Sequence, residues 1–230
     1  MMDFSFLHND LGYLLWGTFP EGPPGGALLT LLLSAGSGIA SAALGLGLGI
    51  LLVLLRGPAL HLLVAVLGFL RAIPVLMLIF WTYFLLPLWL GIDVPGVLSV
   101  MAALALVSGA YLAHGVAAGI RGVGNGQWTA GLAMGFTRWG ALRYVVLPQA
   151  LRMMLPSFIN QWVTLIKDSS LAYIVGVNEL SFLATQVNAR VMIAPAEIFC
   201  FVALLYWLLC SALDLGARAA AARGAAPAMR

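Results

Sequence analysis

Thirty consecutive residues, from Gly26 to Leu55, carry no charged side chain. A helix of about 20 apolar residues is long enough to cross the hydrocarbon core of a bilayer. Charged residues make up 8% of the chain and hydrophobic residues 63%, whereas soluble domains contain roughly 25% charged residues. The chain is therefore predicted to be an all-α membrane protein.

Four further apolar segments bring the prediction to about five transmembrane helices. The second opens at Arg71-Ala-Ile-Pro74, and the fourth is short and opens near Leu147-Pro148. The apolar stretch between Pro58 and Arg71 has two interpretations: a helix near the cytoplasmic surface, or a helix that feeds directly into the second span. The five predicted spans are residues 26–55, 71–90, 97–120, 147–166 and 195–215.

Residues 171–194 and 216–230 are predicted to lie outside these spans. The first stretch is interrupted by Gly176, Asn178 and Glu179 and is interpreted as two short helices at the outer surface. The second is rich in alanine and is expected to fray. The predicted organisation is an extracytoplasmic segment at 1–25, a transmembrane domain at 26–217 and a cytoplasmic tail at 218–230.

The basic residues predict the orientation, because cytoplasmic loops of membrane proteins carry an excess of Lys and Arg. An outside N-terminus and five spans leave only Lys167 and Arg190 outside, and of the acidic residues they place only Asp214 near the inner end. The C-terminus is then cytoplasmic. The basic residues placed inside are Arg56, Arg71, Arg121, Arg138, Arg143, Arg152, Arg218, Arg223 and Arg230.

The longest interruption between apolar segments runs from Gly126 to Pro148. Gly135 suits the position just past a helix end, where a positive φ is easily adopted. The hydroxyl of Thr137 suits the N-cap of a second helix. The pattern predicts a helix, a glycine break and a second helix that starts at Thr137 and runs into the next apolar segment, all held on the cytoplasmic side. It is either an ordinary connection or an element that another protein grips.

Several classes of function have no support in the sequence. It contains no phosphate-binding loop ending in Gly-Lys-Ser/Thr, and His8, His61 and His114 lack metal-ligand spacing. Cys200 and Cys210 lie about 15 Å apart along one predicted helix, too far for a disulfide. No basic run suggests nucleic acid, and no basic region precedes an apolar stretch as in a signal peptide. We therefore expect neither catalysis nor a metal site.

The chain resembles the membrane subunit of ABC importers for polar amino acids, the histidine/glutamine-type permeases. The resemblance extends over about Gly26 to Leu215 and implies the transmembrane domain of a type I ABC importer in a bacterial cytoplasmic membrane. Segments such as Val75 to Pro87 look most like the branch for acidic and amide amino acids. The motifs that carry it are Thr30-Leu-Leu-Leu-Ser34, Phe69-Leu-Arg71-Ala-Ile-Pro74, Gln127-Trp128 with Gly135, Leu147-Pro-Gln-Ala-Leu-Arg152, Asn160-Gln161 and Lys167-Asp-Ser-Ser-Leu171.

This resemblance implies a set of partners. Two permease subunits pair, two ATP-binding cassette ATPases dock beneath them, and an external binding protein delivers the amino acid. ATP and Mg²⁺ would be bound by the ATPase, and this chain would hold no cofactor. The residues implied to engage the ATPase are Gln127, Trp128, Thr129, Ala130, Gly131, Gly135, Arg138, Arg143 and Pro148.

Polar side chains within membrane segments are costly and mark candidate positions along a substrate path. An amino acid presents an ammonium group, which suits Asp168, and a carboxylate, which suits Arg71 or Lys167. Structural alternatives remain open: Lys167 and Asp168 pair with each other, or Asp168 caps the helix that follows it. The candidates are Arg71, Tyr111, His114, Asn160, Gln161, Thr164, Lys167, Asp168 and Ser169.

The sequence departs from the resembling family at a few positions. Thr129-Ala130-Gly131 stands where the family usually has glutamate-alanine-alanine, and His114 stands where a glutamate is common. Ala117 stands where an arginine is frequent. A partner subunit that carries the usual residues would make a heterodimer. The rival functions are a stand-alone secondary transporter or channel, and a membrane-embedded enzyme.

Overall fold

A computed structural model describes residues 6–192 and 195–224, and every regular element within those ranges is helical. The all-α prediction is confirmed. Residues 1–5, 193–194 and 225–230 lie outside the described residues. The predictions made for Asp3 and for the segment ends at Ala194 and Arg230 fall on them. The helices are α1 Phe6–Trp16, α2 Gly26–Leu54, α3 Pro58–Ala72, α4 Val75–Leu90, α5 Gly96–Gly122, α6 Asn125–Ala133, α7 residues 138–168, α8 Leu180–Val191 and α9 Pro195–Gly224, with a 3₁₀-helix at Ser169–Val175.

Three of these helices are long and apolar enough to cross a membrane: α2, α5 and Pro195–Ala219 of α9. The α3–α4 pair adds a fourth if the two helices form one broken span. The predicted fourth span coincides with the second part of α7, Leu147–Asp168, which is helical but more polar than the others. The orientation and the crossing of the membrane by α7 remain predictions.

The axes of α3 and α4 differ by 101°, and the break lies at Ile73 and Pro74. A residue before proline is disfavoured in the helical region, and Ile73 is extended at φ −77° and ψ 134°. The stretch after Pro58 is therefore a helix of its own. The prediction that Arg71 opens the second span is wrong, because Arg71 lies in the last turn of α3.

Two π-helical turns interrupt α4 and α7, at Trp81–Leu85 and Leu142–Val146. Each is followed at once by Leu-Pro, with the proline at position 87 or 148. A proline inside an α-helix has no N–H for the carbonyl four residues earlier, and its ring collides with that carbonyl. The wider π turn moves this carbonyl away. Pro148 therefore lies within α7, and the prediction that the helix starting at Thr137 runs on into the fourth apolar segment is confirmed.

The described residues divide into two compact units, each with its own core. One unit contains the residues up to Gly38, Pro74–Leu104 and those from Trp162; its core includes side chains from α1, α8 and α9. The other contains Ile39–Ile73 and Ala105–Gln161. Its two clusters include Leu52, Leu67, Ala110, Ala113 and Ala117, and Val116, Ile120, Leu142, Val146, Ala150 and Met154.

Small residues allow α2 and α5 to approach closely within the second unit. A Cβ atom added at Gly45 would lie 2.5 Å from the Cβ of Leu112, and one added at Gly49 would lie 2.5 Å from the Cβ of Val116. Close approach of this kind is what small residues provide between membrane helices. At the other end of the chain α9 continues to Gly224, so residues 216–224 are helical and not frayed as predicted, and the rest of the predicted tail lies outside the described residues.

Candidate functional site

The connection between α5 and α7 consists of α6, a glycine turn and a capped helix start. Gly135 adopts φ 85°. Its N–H donates to the carbonyl of Leu132 at 3.0 Å, and the N–H of Phe136 donates to the carbonyl of Gly131 at 3.2 Å. This pair of bonds is the Schellman arrangement, in which a left-handed residue satisfies the last carbonyls of a helix. The predicted glycine break is confirmed.

Thr137 begins the next helix as predicted. Its backbone is extended at ψ 164°, and its hydroxyl accepts a hydrogen bond from the N–H of Gly140 at 3.1 Å. Such a bond satisfies a donor that has no partner within the helix. The turn between α6 and α7 therefore has a defined angle that both flanking residues, Gly135 and Thr137, fix.

Close packing holds α6 against the start of α7. Gly131 is buried, and a Cβ atom added to it would lie 2.9 Å from the Cβ of Ala141. Trp128 packs against the cluster that contains Leu142 and Val146. The guanidinium of Arg138 lies 5.9 Å from the Trp128 ring centroid. A cation over an indole face is attracted by its quadrupole, so Arg138 joins the two helices.

Large apolar side chains on this connection are left exposed. Met134 is 65% exposed and Tyr144 64%. Contiguous exposed apolar area on a protein marks a contact for a partner. Arg138 and Arg143, on the same connection, are also exposed. We call the following set the coupling surface: Leu132, Met134, Phe136, Trp139 and Tyr144.

The remaining predicted coupling residues are distributed over α6 and α7. Gln127, Thr129 and Ala130 are exposed on α6, and Pro148 is exposed on α7. The Thr129 hydroxyl donates to the carbonyl of Asn125 within its own helix, at 3.0 Å. Because Thr129 carries no charge, this position offers a partner no carboxylate. The guanidinium of Arg143 lies 5.7 Å from the ring centroid of Tyr144.

A second group of predicted residues comes together in the unit that contains Arg71 and Ala105–Gln161. The Arg71 guanidinium lies 4.8 Å from the ring centroid of Tyr111, and the Tyr111 hydroxyl donates to the Arg71 carbonyl at 3.4 Å. His114 is one turn further along α5, and its Nε2 is buried without a hydrogen-bond partner among the described residues. These three side chains form a polar group around an unsatisfied imidazole nitrogen.

Four of the other path candidates have contacts of varied kinds. The Gln161 amide donates to the hydroxyl of Ser108 at 3.0 Å, which links α7 to the face of α5 one turn before Tyr111. Asn160 is exposed and Thr164 half-buried on α7. Ser169 is buried, and its hydroxyl donates to the carbonyl of Ile166 at 2.8 Å. That bond explains Ser169 as a structural residue.

Lys167 and Asp168 do not behave as the structural alternatives predicted. Asp168 occupies the N-cap position of the 3₁₀-helix, but its side chain makes no capping hydrogen bond. Of the two ion pairs within the described residues, neither involves Lys167 or Asp168. Lys167 is exposed, whereas Asp168 is half-buried. The proposed cap is therefore wrong, and Lys167 and Asp168 form no direct ion pair within the described residues.

Sequence reasoning missed a buried acidic group on the first unit. Glu179 is 0% exposed. Its carboxylate accepts from the N–H groups of Ser181 at 2.9 Å and Phe182 at 2.8 Å, and from the hydroxyl of Tyr206 at 2.8 Å. Leu180 N–H donates to Thr30 Oγ1 at 3.2 Å. A glutamate directly before the α8 apolar run was the available signal, since acidic side chains cap helices.

The stability of the protein is expected to depend on pH through Glu179. Burial raises the pKa of its carboxyl from 4.5 to about 7, and the hydrogen bonds from Ser181, Tyr206 and Phe182 offset part of that rise. The folded state therefore binds the proton more tightly than the unfolded chain does, so stability falls as pH rises through about 7. Thermal unfolding should occur at a higher temperature at pH 5 than at pH 8. A Glu179→Gln variant should lose this difference; an unchanged difference would contradict the assignment.

No group of three or more His, Cys, Asp or Glu side chains within residues 6–192 and 195–224 is arranged to hold a metal ion. Cys200 and Cys210 are both free thiols. The disulfide that their spacing ruled out is thus absent from this pair.

Comparison with known proteins identifies the family. The binding-protein-dependent transport system inner membrane components match residues 25–223. The chain belongs to this family. The permease is 35% identical over 160 residues to the probable amino-acid ABC transporter permease YckA of Bacillus subtilis, covering 70% of this chain and 68% of YckA. It is 33% identical over 150 residues to the glutamine transport system permease GlnP of Escherichia coli, covering 65% and 68%.

Solved structures share the fold of the permease. An amino acid ABC transporter crystallised with histidines superposes with a TM-score of 0.82 at 22% identity, covering 97% of this chain and 99% of that chain. The inward-facing MetNI methionine ABC transporter superposes with a TM-score of 0.69 at 23% identity, covering 84% and 93%. The resemblance seen in the sequence is confirmed. The chain is a transport subunit and not an enzyme, and family membership implies a substrate-binding protein and an ATPase on partner chains.

Proposed function

We propose that this permease imports polar amino acids across the bacterial cytoplasmic membrane by alternating access, driven by a separate ATPase. The coupling surface carries the proposal. It consists of exposed apolar side chains at the end of α6, in the turn and at the start of α7, and Gly135 and Thr137 fix the angle of that turn. A rigid, exposed, apolar element of this kind suits insertion into a cleft of a partner protein.

The complex contains a second permease subunit, two ATPase subunits and an external binding protein. The excess of arginine on one side supports an outside N-terminus and a cytoplasmic coupling surface. Thr129 offers the ATPase a hydroxyl in place of a carboxylate. A heterodimer whose other subunit supplies the carboxylate accommodates this difference; a homodimer requires that apolar contacts replace it.

The substrates are acidic or amide amino acids such as glutamate, aspartate and glutamine. The relative GlnP of Escherichia coli is named for glutamine transport. In this chain the Arg71 guanidinium and the unpaired Nε2 of His114 offer groups that hydrogen-bond a carboxylate or an amide. The hydrogen bond from the Tyr111 hydroxyl to the backbone carbonyl of Arg71 holds Arg71 beside Tyr111.

The path assignment predicts the effect of removing its polar groups. His114→Ala and Asp168→Asn should each raise the KM of uptake about tenfold, because a hydrogen bond to a charged group contributes about 1.5–3 kcal/mol. The matched controls are His61→Ala and Asp93→Asn, which alter exposed residues of the same types. Uptake of labelled glutamine and glutamate into proteoliposomes provides the measurement. Unchanged affinity and specificity in both variants would remove these residues from the path.

Purification from native membranes tests the proposed assembly. An affinity-tagged permease should bring down an ATP-binding cassette ATPase and a second permease chain. Mass spectrometry of the purified complex then separates a homodimer from a heterodimer. A permease that transports amino acids with no ATPase attached would instead be a secondary transporter, and the proposal would be wrong.

A further inference from the structure

The side chains of Gln127 on α6 and Gln149 on α7 are joined by a hydrogen bond. The Gln149 Nε2 lies 3.2 Å from the Oε1 of Gln127 and 2.7 Å from the carbonyl oxygen of Val145. A carbonyl oxygen only accepts, so the Gln149 atom facing Val145 is its amide nitrogen. That nitrogen carries two hydrogens, which is enough for both bonds at once. The atom of Gln127 that faces it must then be an acceptor.

The π turn orients the side-chain amide of Gln149. Val145 lies within the π turn, and Gln149 follows Pro148 directly. The bond to Val145 fixes the head of the Gln149 side chain along its own helix. Its second hydrogen is thereby directed at α6, so the donor is oriented before the partner is met.

The bond between the two glutamines lies near the beginning of α6. α6 spans only nine residues, and its N-cap, Gly124, makes no side-chain capping bond. Helices this short are not stable in isolation. The contact of Gly131 with Ala141 holds the middle of the helix, and the turn at Gly135 holds its end. Gln127 is the third residue of α6, so its bond adds a polar contact to the packing of Trp128 at the start of the helix.

We propose that Gln149 is a positioning residue for coupling: it ties α6 to α7 so that a displacement of α6 passes to α7 as one body. This inference rests on the proposed function. It concerns how motion is transmitted: Gln127, which the resemblance places among the residues that engage the ATPase, bonds here to Gln149, and co-purification of the ATPase separates a loss of transmission from a loss of binding.

The test uses the complete importer in proteoliposomes, with ATP hydrolysis and amino-acid uptake measured together. Gln149→Glu keeps the shape of the side chain but removes both donor hydrogens. It should raise the ATP hydrolysed per amino acid imported about fivefold, the effect of losing one net hydrogen bond. Gln127→Ala and Gln149→Ala should act in the same direction. The double alanine variant should be no worse than the more affected single variant, since both remove one contact.

A rescue separates positioning from general damage. Gln127→Lys combined with Gln149→Glu restores a donor and an acceptor with reversed polarity, and should return the ratio to within about twofold of wild type. Arg152→Ala, an exposed change further along α7, is the control and should couple normally. ATPase co-purification should be equal in all variants.

Wild-type coupling in Gln149→Glu and Gln149→Ala would overturn the proposal, and so would strictly additive effects in the double alanine variant. Loss of the bound ATPase that the lysine–glutamate pair does not restore would also overturn it, because assembly and not positioning would then depend on Gln149. If the wild-type complex itself showed no ATP-driven uptake, the proposed function would be refuted rather than the role of Gln149.

Discussion

Replacing Gly135 by valine is expected to reduce ATP-driven uptake tenfold or more. Gly135 has φ 85°, and a side chain in the left-handed region costs about 1–2 kcal/mol, more for a β-branched residue. Relief of that strain requires the turn to open, which breaks the bonds from Gly135 to Leu132 and from Phe136 to Gly131. α6 and α7 would then meet at a different angle, and the side chains of the coupling surface would be displaced. ATP hydrolysis should continue with little import.

Gly126→Val is the matched control for this variant. A Cβ atom added at Gly126 or at Gly135 meets no other atom within 4 Å, but only Gly135 has a positive φ. The two substitutions therefore differ in backbone strain and not in packing. Gly135→Asn should retain most activity, because asparagine adopts the left-handed region more readily. Normal coupling in Gly135→Val, or equal damage from Gly126→Val, would contradict this account of the turn.

Removal of the Glu179 carboxylate is expected to lower the free energy of unfolding by about 3 kcal/mol. In Glu179→Ala the N–H groups of Ser181 and Phe182 lose their acceptor at the start of α8, and the Tyr206 hydroxyl loses its bond to the carboxylate. A lost cap costs about 1 kcal/mol. A buried polar group left unpaired adds about 1–3 kcal/mol.

Thermal and denaturant unfolding of the purified permease in detergent measures this effect. Glu179→Gln should fall between wild type and Glu179→Ala, because its amide keeps one acceptor oxygen and loses the other. Glu21→Ala changes an exposed glutamate of the same unit and should leave stability within about 0.5 kcal/mol. Wild-type stability in Glu179→Ala would show that the network contributes nothing to the fold.

The main helices could be predicted because their signals are local. Gly26, the first of thirty uncharged residues, begins α2, and the predicted end at Leu55 lies one residue beyond the observed end at Leu54. The prolines were harder to interpret. Pro148 marks the start of the fourth apolar segment, and a π turn, which the sequence does not announce, allows the helix from Thr137 to continue through it. Pro74 does begin a helix, although Arg71 belongs to the one before. Proline marks a disturbance of the helix, and the hydrogen bonds around it decide its kind.

The candidate site could likewise be predicted only where the signal is local in the sequence. Glycine favours a positive φ and threonine favours an N-cap, so the backbone roles of Gly135 and Thr137 follow from their residue types. Both predictions are confirmed. The Glu179 network was missed because Thr30 and Tyr206 lie far away in the sequence. The bond between Gln127 and Gln149 joins residues of two helices whose packing the sequence does not reveal. Contacts between helices depend on how the chain folds back, which residue patterns do not specify.

The most direct test is uptake by the purified complex in proteoliposomes that contain ATP, with the binding protein outside. We predict accumulation of labelled glutamine, glutamate or aspartate only when ATP, the ATPase and the binding protein are all present. Dissipating ion gradients should leave this accumulation unchanged. Uptake that proceeds without ATP and collapses with an ion gradient would contradict the account, because the chain would then act as a secondary transporter.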